Sequence, residues 1–502
     1  MVRAGAAVLD ITPPLGVPLA GSFTERIATG IDDPLFARAV VLEDDQGPAG
    51  RLAIVCADLI CMPGETVRAA REQIGAAGHI PPERVLIAAT HTHTAPSPTG
   101  LLGTRRADAY MDALPARLAT VVGLAVERLR PARLAWGTGW EAGVSFHRRY
   151  RLRDGTVRMN PGRRNPDVVG PVGPIDPELG VLWIEQDDGA PLASVASFAL
   201  HYIGTDHAQH VSADYFGHYA RWMQRLFGAP FAAPGTPGEF VPILLNGASG
   251  DINGVDVQDT EQPAGHRLAR RVAGIVAGET LRVVQRLRPT ADVSLAAASA
   301  RLSFRRKRIT DEDLEIAGRL LALDESVPPQ DLRRAAGLGR DGPFSWVVGQ
   351  PLPDSVLRQY ARECRLLAAL PEQLETEVQV LRAGGCAIVA LPGEIFVELG
   401  LAMKGTGDGA PEGPAQPVAR PGAGSPITMI ASLANDYVGY VATRRAIEED
   451  GGYETWAARS ALPAAGTGEA MVALARRLLA AVALGHAPAP SERQRAQAPT
   501  NG

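Results

Sequence analysis

The sequence predicts an α/β protein with mixed β-sheets and flanking helices. Apolar runs of strand length recur along the 502 residues, at 37–43, 52–58, 84–90, 180–186, 193–200, 241–247, 386–393 and 427–434. Between several of these runs, apolar residues recur with the 3.6-residue spacing of a helix, at 64–77, 105–129, 216–227, 264–287 and 468–484. Strands interleaved with helices in this way usually build sheets that are covered by helices.

The organisation along the chain favours one compound domain over residues 1–485. Residues 309–375 contain two helical patterns and are expected to form a helical insertion. Residues 405–426 are rich in Gly and Pro, which predicts a flexible loop. The tail 486–502 has too few apolar residues to pack, so we expect it to be disordered.

Composition limits the class of protein. The chain is 46% hydrophobic and 21% charged, and its 50 Lys and Arg do not outnumber its 55 Asp and Glu, which argues against nucleic-acid binding. The four cysteines show no metal or disulfide spacing. The N-terminus does not resemble a signal peptide, and no apolar run reaches the roughly 20 residues of a membrane span. We therefore expect a cytoplasmic protein with a small-molecule substrate and no membrane partner, and homo-oligomer formation stays open.

Two histidines stand one residue apart directly after a predicted strand. The run RVLIAA, residues 84–89, is followed by His91 and His93. Residues two apart in an extended chain point to the same side, so both imidazoles would face one spot at the end of the strand. A hydrogen-bonded loop explains an isolated pair of this kind as well as a metal does. A metal site needs further ligands.

A second histidine-rich stretch supplies them. His201 ends the apolar run 193–200, in the same strand-to-loop position as His91, and three more histidines follow at 207, 210 and 218. The four-residue spacing predicts that Asp214 orients His210, as carboxylates orient metal-bound imidazoles. Together the two stretches favour a metal.

Three other segments carry polar groups next to apolar runs. Glu394 follows a predicted strand and a Pro-Gly turn, although a Glu at a helix N-terminus would also be favoured there. Three of the nine tyrosines lie close together, at 437, 440 and 453, beside Asn435, Asp436 and Glu454. The third segment, NGASGDING, holds Ser249 and Asn253, and it lacks the spacing of a nucleophile elbow.

Taken together, these motifs resemble the catalytic domain of the neutral ceramidase family. The resemblance runs from about residue 5 to 460 and rests on the segments AAVLDITPPLGVPLAG, DDPLFARAVVLED, ATHTHTAPSP, HVSADYFGHYA, NGASGDIN, LPGEIFVELG and NDYVGYVAT. It implies one zinc ion per chain, held by His91, His201, Glu394 and Tyr440, with Tyr437 as the alternative tyrosine. It also implies three residues beside the scissile bond, which are His93, Arg148 and Tyr453. Nitrogen and oxygen donors of this kind suit zinc.

The sequence departs from the family at the proposed nucleophile. Where the family has a serine, the segment GDINGV places Asn253, and an amide side chain is no nucleophile. Ser249 lies four residues too early to take its place. Counterparts of the family's signal peptide and C-terminal immunoglobulin-like domain are not recognised in this sequence, which predicts a substrate other than a membrane lipid.

These observations predict a zinc-dependent hydrolase that cleaves an amide-type C–N bond or an ester of a small soluble molecule. Water activated by zinc would be the nucleophile, His93 and Tyr453 would donate to the carbonyl side, and Arg148 would anchor the substrate. The alternatives are a true ceramidase, a metal amidohydrolase of the TIM-barrel type and a pseudoenzyme that keeps the metal. The reverse reaction, a condensation, also stays open.

Overall fold

The computed structural model describes residues 1–228, 240–339, 344–405 and 425–484. Nearly all of the predicted loop 405–426 and the whole predicted tail 486–502 lie outside the described residues. The strands are β1 Arg3–Asp10, β2 Pro18–Leu19, β3 Arg26–Ile27, β4 Gly30–Ile31, β5 Phe36–Glu43, β6 Leu52–Ala57, β7 Val85–Ala89, β8 Arg130–Trp140, β9 Phe146–His147, β10 Arg149–Leu152, β11 Val157–Met159, β12 Val168–Pro171, β13 Glu178–Gln186, β14 Pro191–Phe198, β15 His210–Val211, β16 Val241–Asn246, β17 Ile252–Asn253, β18 Leu295–Arg305, β19 Gln373–Ala383, β20 Cys386–Ala390, β21 Glu394–Ile395, β22 Ile427–Ala431 and β23 Tyr440–Val441. The helices are α1 Gly64–Ala76, α2 Asp108–Glu127, α3 Asp214–Phe227, α4 Gly265–Val284, α5 Asp311–Ala322, α6 Leu332–Ala335, α7 Leu357–Ala368, α8 Val397–Lys404 and α9 Thr467–Ala483.

Two mixed sheets dominate the fold, and the predicted α/β class is confirmed. The larger sheet has the strand order β16-β14-β13-β8-β1-β5-β6-β7, in which β6–β7 and β14–β16 are parallel pairs. The smaller sheet has the order β18-β19-β20-β22, with β20 and β22 parallel. The larger sheet is linear and mixed, whereas a TIM barrel closes eight parallel strands. The TIM-barrel alternative is therefore wrong.

Strands β6, β7 and β16 are buried along their whole length because both faces of the larger sheet are covered. In β7, Ile87 and Ala89 pack on one side with α1 and α2, while Leu86 and Ala88 face the smaller sheet on the other side. Helices α3 and α4 cover the far half of the same outer face, and α9 covers the smaller sheet. The result is four layers, helix–sheet–sheet–helix, and a strand buried on both faces reads as an unbroken apolar run.

Residues 309–375 contain α5, α6 and α7 between the paired strands β18 and β19. Thr310 and Asp313 form a capping box that begins α5, with the Thr310 hydroxyl accepting from the Asp313 amide at 3.1 Å. These helices share a core of their own, which includes Leu357 and Tyr360 and also Trp456. They therefore pack against the segment that carries Tyr453.

Helix α2 is long and apolar enough to cross a membrane by length and composition alone. Its apolar residues, among them Met111, Leu118 and Val122, belong to the core against the larger sheet. A buried core helix passes the same test, so α2 is a weak indication of a membrane span.

The four cysteines are free and buried, and burial raises the pKa of Cys364 and of Cys386 to about 12.

The buried Lys307 gives a prediction about stability and pH. Its Nζ donates to the Ala461 carbonyl at 2.7 Å, and burial lowers the pKa of Lys307 from 10.5 to about 7. Between these two values the unfolded chain holds a proton that the folded chain lacks, so stability rises with pH through this window by at most about 1.4 kcal/mol per unit. Lys307→Met should therefore be more stable than the wild type at neutral pH. This advantage should shrink as the pH approaches the pKa of about 10.5 that Lys307 has in the unfolded chain.

Urea unfolding at pH values from about 6 to about 10 measures this difference. The control is Lys404→Met, because Lys404 is also buried but pairs with Asp176 at 2.7 Å, which raises the pKa of Lys404 after burial has lowered it. That variant should lose stability. Parallel stability curves for the wild type and Lys307→Met would contradict the prediction.

Candidate metal centre

The predicted ligands come together where strands end. His91 follows β7 and His201 follows β14, and each strand has a parallel neighbour on which it packs. Glu394 begins β21, which pairs in parallel with β23 so that Glu394 lies opposite Tyr440. The ends of separate strands thus deliver side chains that are far apart in sequence to one buried point.

Three imidazoles turn the same nitrogen towards this point. His91 donates its Nδ1–H to the Ile60 carbonyl at 2.6 Å, and His201 donates its own to the Ser249 carbonyl at 3.1 Å. His93 makes a longer contact of the same kind with Gly21, at 3.4 Å. Because a neutral imidazole carries one N–H, each Nε2 is left with a lone pair that faces inward.

The inward-facing atoms are close enough to share one ion. The Nε2 of His91 lies 3.0 Å from that of His201 and 3.3 Å from that of His93. Glu394 Oε2 lies 3.2 Å from His91 Nε2 and 3.7 Å from His201 Nε2, and among the described residues it has no hydrogen-bond partner. Ligands of a tetrahedral zinc stand roughly 3.3 Å apart, given bonds of about 2.0–2.1 Å. The donor set therefore fits zinc, which takes nitrogen and oxygen ligands at these separations.

The electrostatics favour the metal-binding forms of His93, His201 and Glu394. Burial, and then the neighbouring His91, lower the pKa of both His93 and His201 well below the usual value. Burial raises the pKa of Glu394, but His91 and Tyr437 outweigh it and the net shift is downward. Neutral imidazoles at His93 and His201 and an ionised carboxylate at Glu394 are the species that bind a metal.

The backbone at His91 is strained. Its φ of 82° lies in the left-handed region, which costs a residue other than glycine about 1–3 kcal/mol. The conformation is held by the His91 amide, which donates to the Leu59 carbonyl at 2.8 Å, and by the Nδ1 bond to the next residue, Ile60. Strain of this kind is concentrated at functional sites.

Both candidate tyrosines border the centre, by different contacts. The Tyr437 hydroxyl donates to Glu394 Oε1 at 2.8 Å. The Tyr440 ring lies 5.4 Å from the Arg148 guanidinium and 5.6 Å from the Tyr453 ring. Burial and then Glu394 raise the pKa of Tyr437 and of Tyr440 well above the usual value. Tyr440 stays the predicted ligand and Tyr437 its alternative.

Arg148 places a buried cation beside this centre. Its Nη1 lies 3.3 Å from His201 Nε2, and its Nε donates to Glu454 Oε1 at 2.8 Å. Burial lowers the pKa of Arg148, but Tyr440 and Glu454 raise it well above the usual value, so the guanidinium stays charged. A permanent cation at this place can bind an oxygen that becomes negative.

Asn253 and Ser249 make hydrogen bonds that do not activate a nucleophile. The Asn253 side chain donates to Asn160 Oδ1 at 3.0 Å. The backbone N–H of Asn160 in turn donates to the Arg148 carbonyl at 2.8 Å. Ser249 donates its hydroxyl proton to Asn246 Oδ1 at 2.8 Å, while its carbonyl orients His201. An amide oxygen is a poor base for a serine.

The structure adds one residue and corrects one prediction. Tyr202 stacks on His93 with ring centroids 3.5 Å apart, a contact whose only sequence signal is its position next to His201. Asp214 does not orient His210, because its carboxylate accepts from the amides of Ile203 and Gly204 at 3.1 and 2.8 Å. The four-residue spacing fails because His210 lies in a strand and only Asp214 in a helix.

Comparison with known proteins identifies the fold. No protein-family model and no curated protein matches the chain. A crystal structure of neutral ceramidase from Pseudomonas aeruginosa is similar, with a TM-score of 0.66 and 21% identity over 98% of this chain and 76% of that one. A structure of ceramidase complexed with C2 has a TM-score of 0.65 and 18% identity over 99% of this chain and 77% of that one. The chain therefore has the neutral ceramidase fold, as the resemblance of its motifs predicts.

Proposed function

We propose that this protein is a zinc-dependent hydrolase that cleaves an amide-type C–N bond, or an ester, in a small soluble molecule. The observation that carries the proposal is the convergence of three imidazole Nε2 atoms and the buried Glu394 Oε2 at the ends of separate strands. The similarity to two ceramidase structures supports the proposal, because ceramidases are named for cleaving an amide bond. A cytoplasmic location belongs to the same proposal.

The residues have separate roles in it. His91, His201 and Glu394 would hold the ion with Tyr440 or Tyr437, and a bound zinc supplies a Lewis acid for a carbonyl and lowers the pKa of water to about 7. His93 carries its lone pair at Nε2 beside the ligands, so in this proposal it accepts a proton from the attacking water and returns it to the leaving group, in place of the carbonyl-side donation that the motif suggests. Arg148 binds the developing oxyanion or a substrate oxygen, and the Tyr453 hydroxyl donates to the carbonyl side.

Burial keeps Tyr453 a donor. Burial and then Glu394 raise the pKa of Tyr453 well above its usual value, so the hydroxyl keeps its proton at neutral pH. Its ring is fixed edge-on between Tyr440 at 5.6 Å and Trp456 at 5.9 Å. A fixed, protonated donor can stabilise the negative charge that develops on a carbonyl oxygen.

Long-chain ceramide should be a poor substrate. The prediction depends on Asn253, which stands where the family's nucleophile is a serine. The zinc-loaded protein is assayed on a panel of small amides and esters, with ceramide in detergent as one arm. Turnover of a small amide or ester that depends on zinc supports the proposal, whereas ceramide turnover of about 1 s⁻¹ or more would show a true ceramidase. Metal binding without turnover on any arm would indicate a pseudoenzyme.

Catalysis should proceed without a covalent intermediate. Neither Asn253 nor Ser249 has an activated oxygen, so water is the nearest nucleophile. Asn253→Ala should weaken catalysis only through the loss of two hydrogen bonds, the one Asn253 donates to Asn160 and the one it accepts from the Val255 amide at 3.0 Å, on the order of 1–3 kcal/mol. Rapid-quench mass spectrometry during turnover tests this. Protein that carries an added acyl mass, on Ser249 or elsewhere, would show that a replacement nucleophile exists.

A further inference from the structure

A second group of histidines lies apart from the candidate metal centre and on the protein surface. We propose that Asp32, His207 and His210, here called the rim site, bind a transition-metal ion of the zinc type. The three ligand atoms lie within 4.8 Å of one another. The proposed hydrolase centre uses none of these residues, so the rim site stands independently of it.

The contacts give the ion its donors. His210 Nδ1 lies 2.8 Å from Asp32 Oδ1, and His207 Nδ1 lies 3.3 Å from the same oxygen and 3.1 Å from Oδ2. Two imidazole nitrogens and one carboxylate oxygen are the donors that zinc accepts. His207 is 60% exposed and His210 33% exposed, so water can complete the coordination.

A chain of hydrogen bonds that begins at Arg221 orients the Asp32 carboxylate. Arg221 donates to His218 Nδ1 at 2.7 Å, His218 Nε2 lies 3.4 Å from His266 Nδ1, and His266 Nε2 lies 3.1 Å from Asp32 Oδ2. Because an arginine only donates, each imidazole in turn must accept at Nδ1 and donate from Nε2. The last donor in this chain orients Asp32, as outer hydrogen bonds orient metal ligands.

Hydrogen bonds from three imidazoles favour the ionised form of Asp32. Burial raises the pKa of Asp32, but the hydrogen bonds from His210, His207 and His266 outweigh it and lower the pKa to about 2. An ion at the rim site would take the place of the Nδ1 protons that His207 and His210 donate to Asp32, with each imidazole keeping its proton at Nε2.

The backbone brings the ligands from two segments. Strand β4 pairs in parallel with β15, and the Asp32 amide donates to the Val211 carbonyl at 2.9 Å. Gly30 leaves room for this pairing, because a Cβ there would stand 2.6 Å from His210 Nε2. An ion at the rim site would tie these segments together, and the segment from His201 to His210 also carries Tyr202 over His93. We expect the ion to stabilise that side of the candidate metal centre.

Zinc bound per chain, measured by equilibrium dialysis at one fixed free-zinc concentration, tests the rim site. The wild type should bind two zinc ions, the double variant His207→Ala/His210→Ala one, and His91→Ala/His201→Ala one. His79→Ala, which removes a half-buried histidine outside both groups, should bind two. In the His91→Ala/His201→Ala background, zinc should still raise Tm, and adding the rim substitutions should abolish that shift.

The design separates the two proposals. If the wild type binds one ion and the rim substitutions remove it, the rim site stands and the candidate metal centre fails. If the rim substitutions leave the number of bound ions unchanged, the rim site is wrong. Loss of the second ion in His218→Ala but not in His207→Ala/His210→Ala would place it at Asp33, His218 and His266 and would overturn the assignment. Asp32→Asn, which keeps the side-chain shape, should lose the ion as well.

Discussion

Glu394→Ala is expected to abolish metal binding and turnover together. The carboxylate is the one anion among the inward-facing ligand atoms, and its Oε2 lies 3.2 Å from His91 Nε2. Removing it leaves imidazole donors without a negative charge to offset the nearby Arg148 cation, so the ion is bound far more weakly. Loss of a Lewis acid worth several kcal/mol corresponds to a fall in turnover of about 10³-fold or more.

Metal content of the folded protein is measured alongside turnover, because each variant must be shown to lose the ion and not the fold. Glu394→Gln keeps the side-chain shape and an oxygen for the Tyr437 hydroxyl, so it should retain stability better than Glu394→Ala while binding zinc weakly. His91→Ala and His201→Ala should also lose the ion. Retention of zinc in both histidine variants would remove this centre from consideration.

His147→Ala is the matched histidine control. Its imidazole is as buried as the predicted ligands, but it pairs with Asp251 at 3.3 Å and not with the candidate metal centre. We expect it to keep the zinc of the candidate metal centre, although loss of the Asp251 contact should cost stability. A fall in metal content of the folded His147→Ala protein would show that zinc loss reports general damage and not the removal of a ligand.

The site could be predicted from sequence where it depends on strand ends. His91, His201 and Glu394 each follow a buried apolar run or its turn, and the ends of packed strands meet in the fold. That rule is local in the sequence and needs no knowledge of which strands are neighbours. It therefore holds even though His91 and His201 are separated by 110 residues.

What could not be predicted are contacts made through short or irregular segments. Asp32 meets His210 across 178 residues through a two-residue strand pair that has no periodic pattern. The prediction for Asp214 fails for a related reason, since four-residue spacing places side chains together only when both residues lie in one helix. The stacking of Tyr202 on His93 depends on a loop conformation, which residue type alone does not determine.

The buried pair of Arg148 and Glu454 is expected to give the largest change in stability. Arg148 is 4% exposed and Glu454 1% exposed, with Arg148 Nε and Glu454 Oε1 2.8 Å apart, and Arg149 lies farther from the same carboxylate at 3.5 Å. Breaking a buried pair from one side leaves an uncompensated charge, which costs about 3–5 kcal/mol. Arg148→Met and Glu454→Gln should each lose stability on this scale.

The double variant Arg148→Met/Glu454→Gln should lose less than the sum of the two single variants, because it leaves neither charge of the pair alone. Urea unfolding of the metal-free proteins measures the three differences without a contribution from bound zinc. The exposed pair Arg444–Glu448 is the control, with side chains 59% and 49% exposed, and Glu448→Gln should cost less than about 1 kcal/mol. Additivity within about 0.5 kcal/mol at Arg148 and Glu454 would contradict the argument, because two charges that stabilise each other must show coupling. Arg148 would then be held by its packing on Tyr440, and its charge would be free to bind a substrate oxygen.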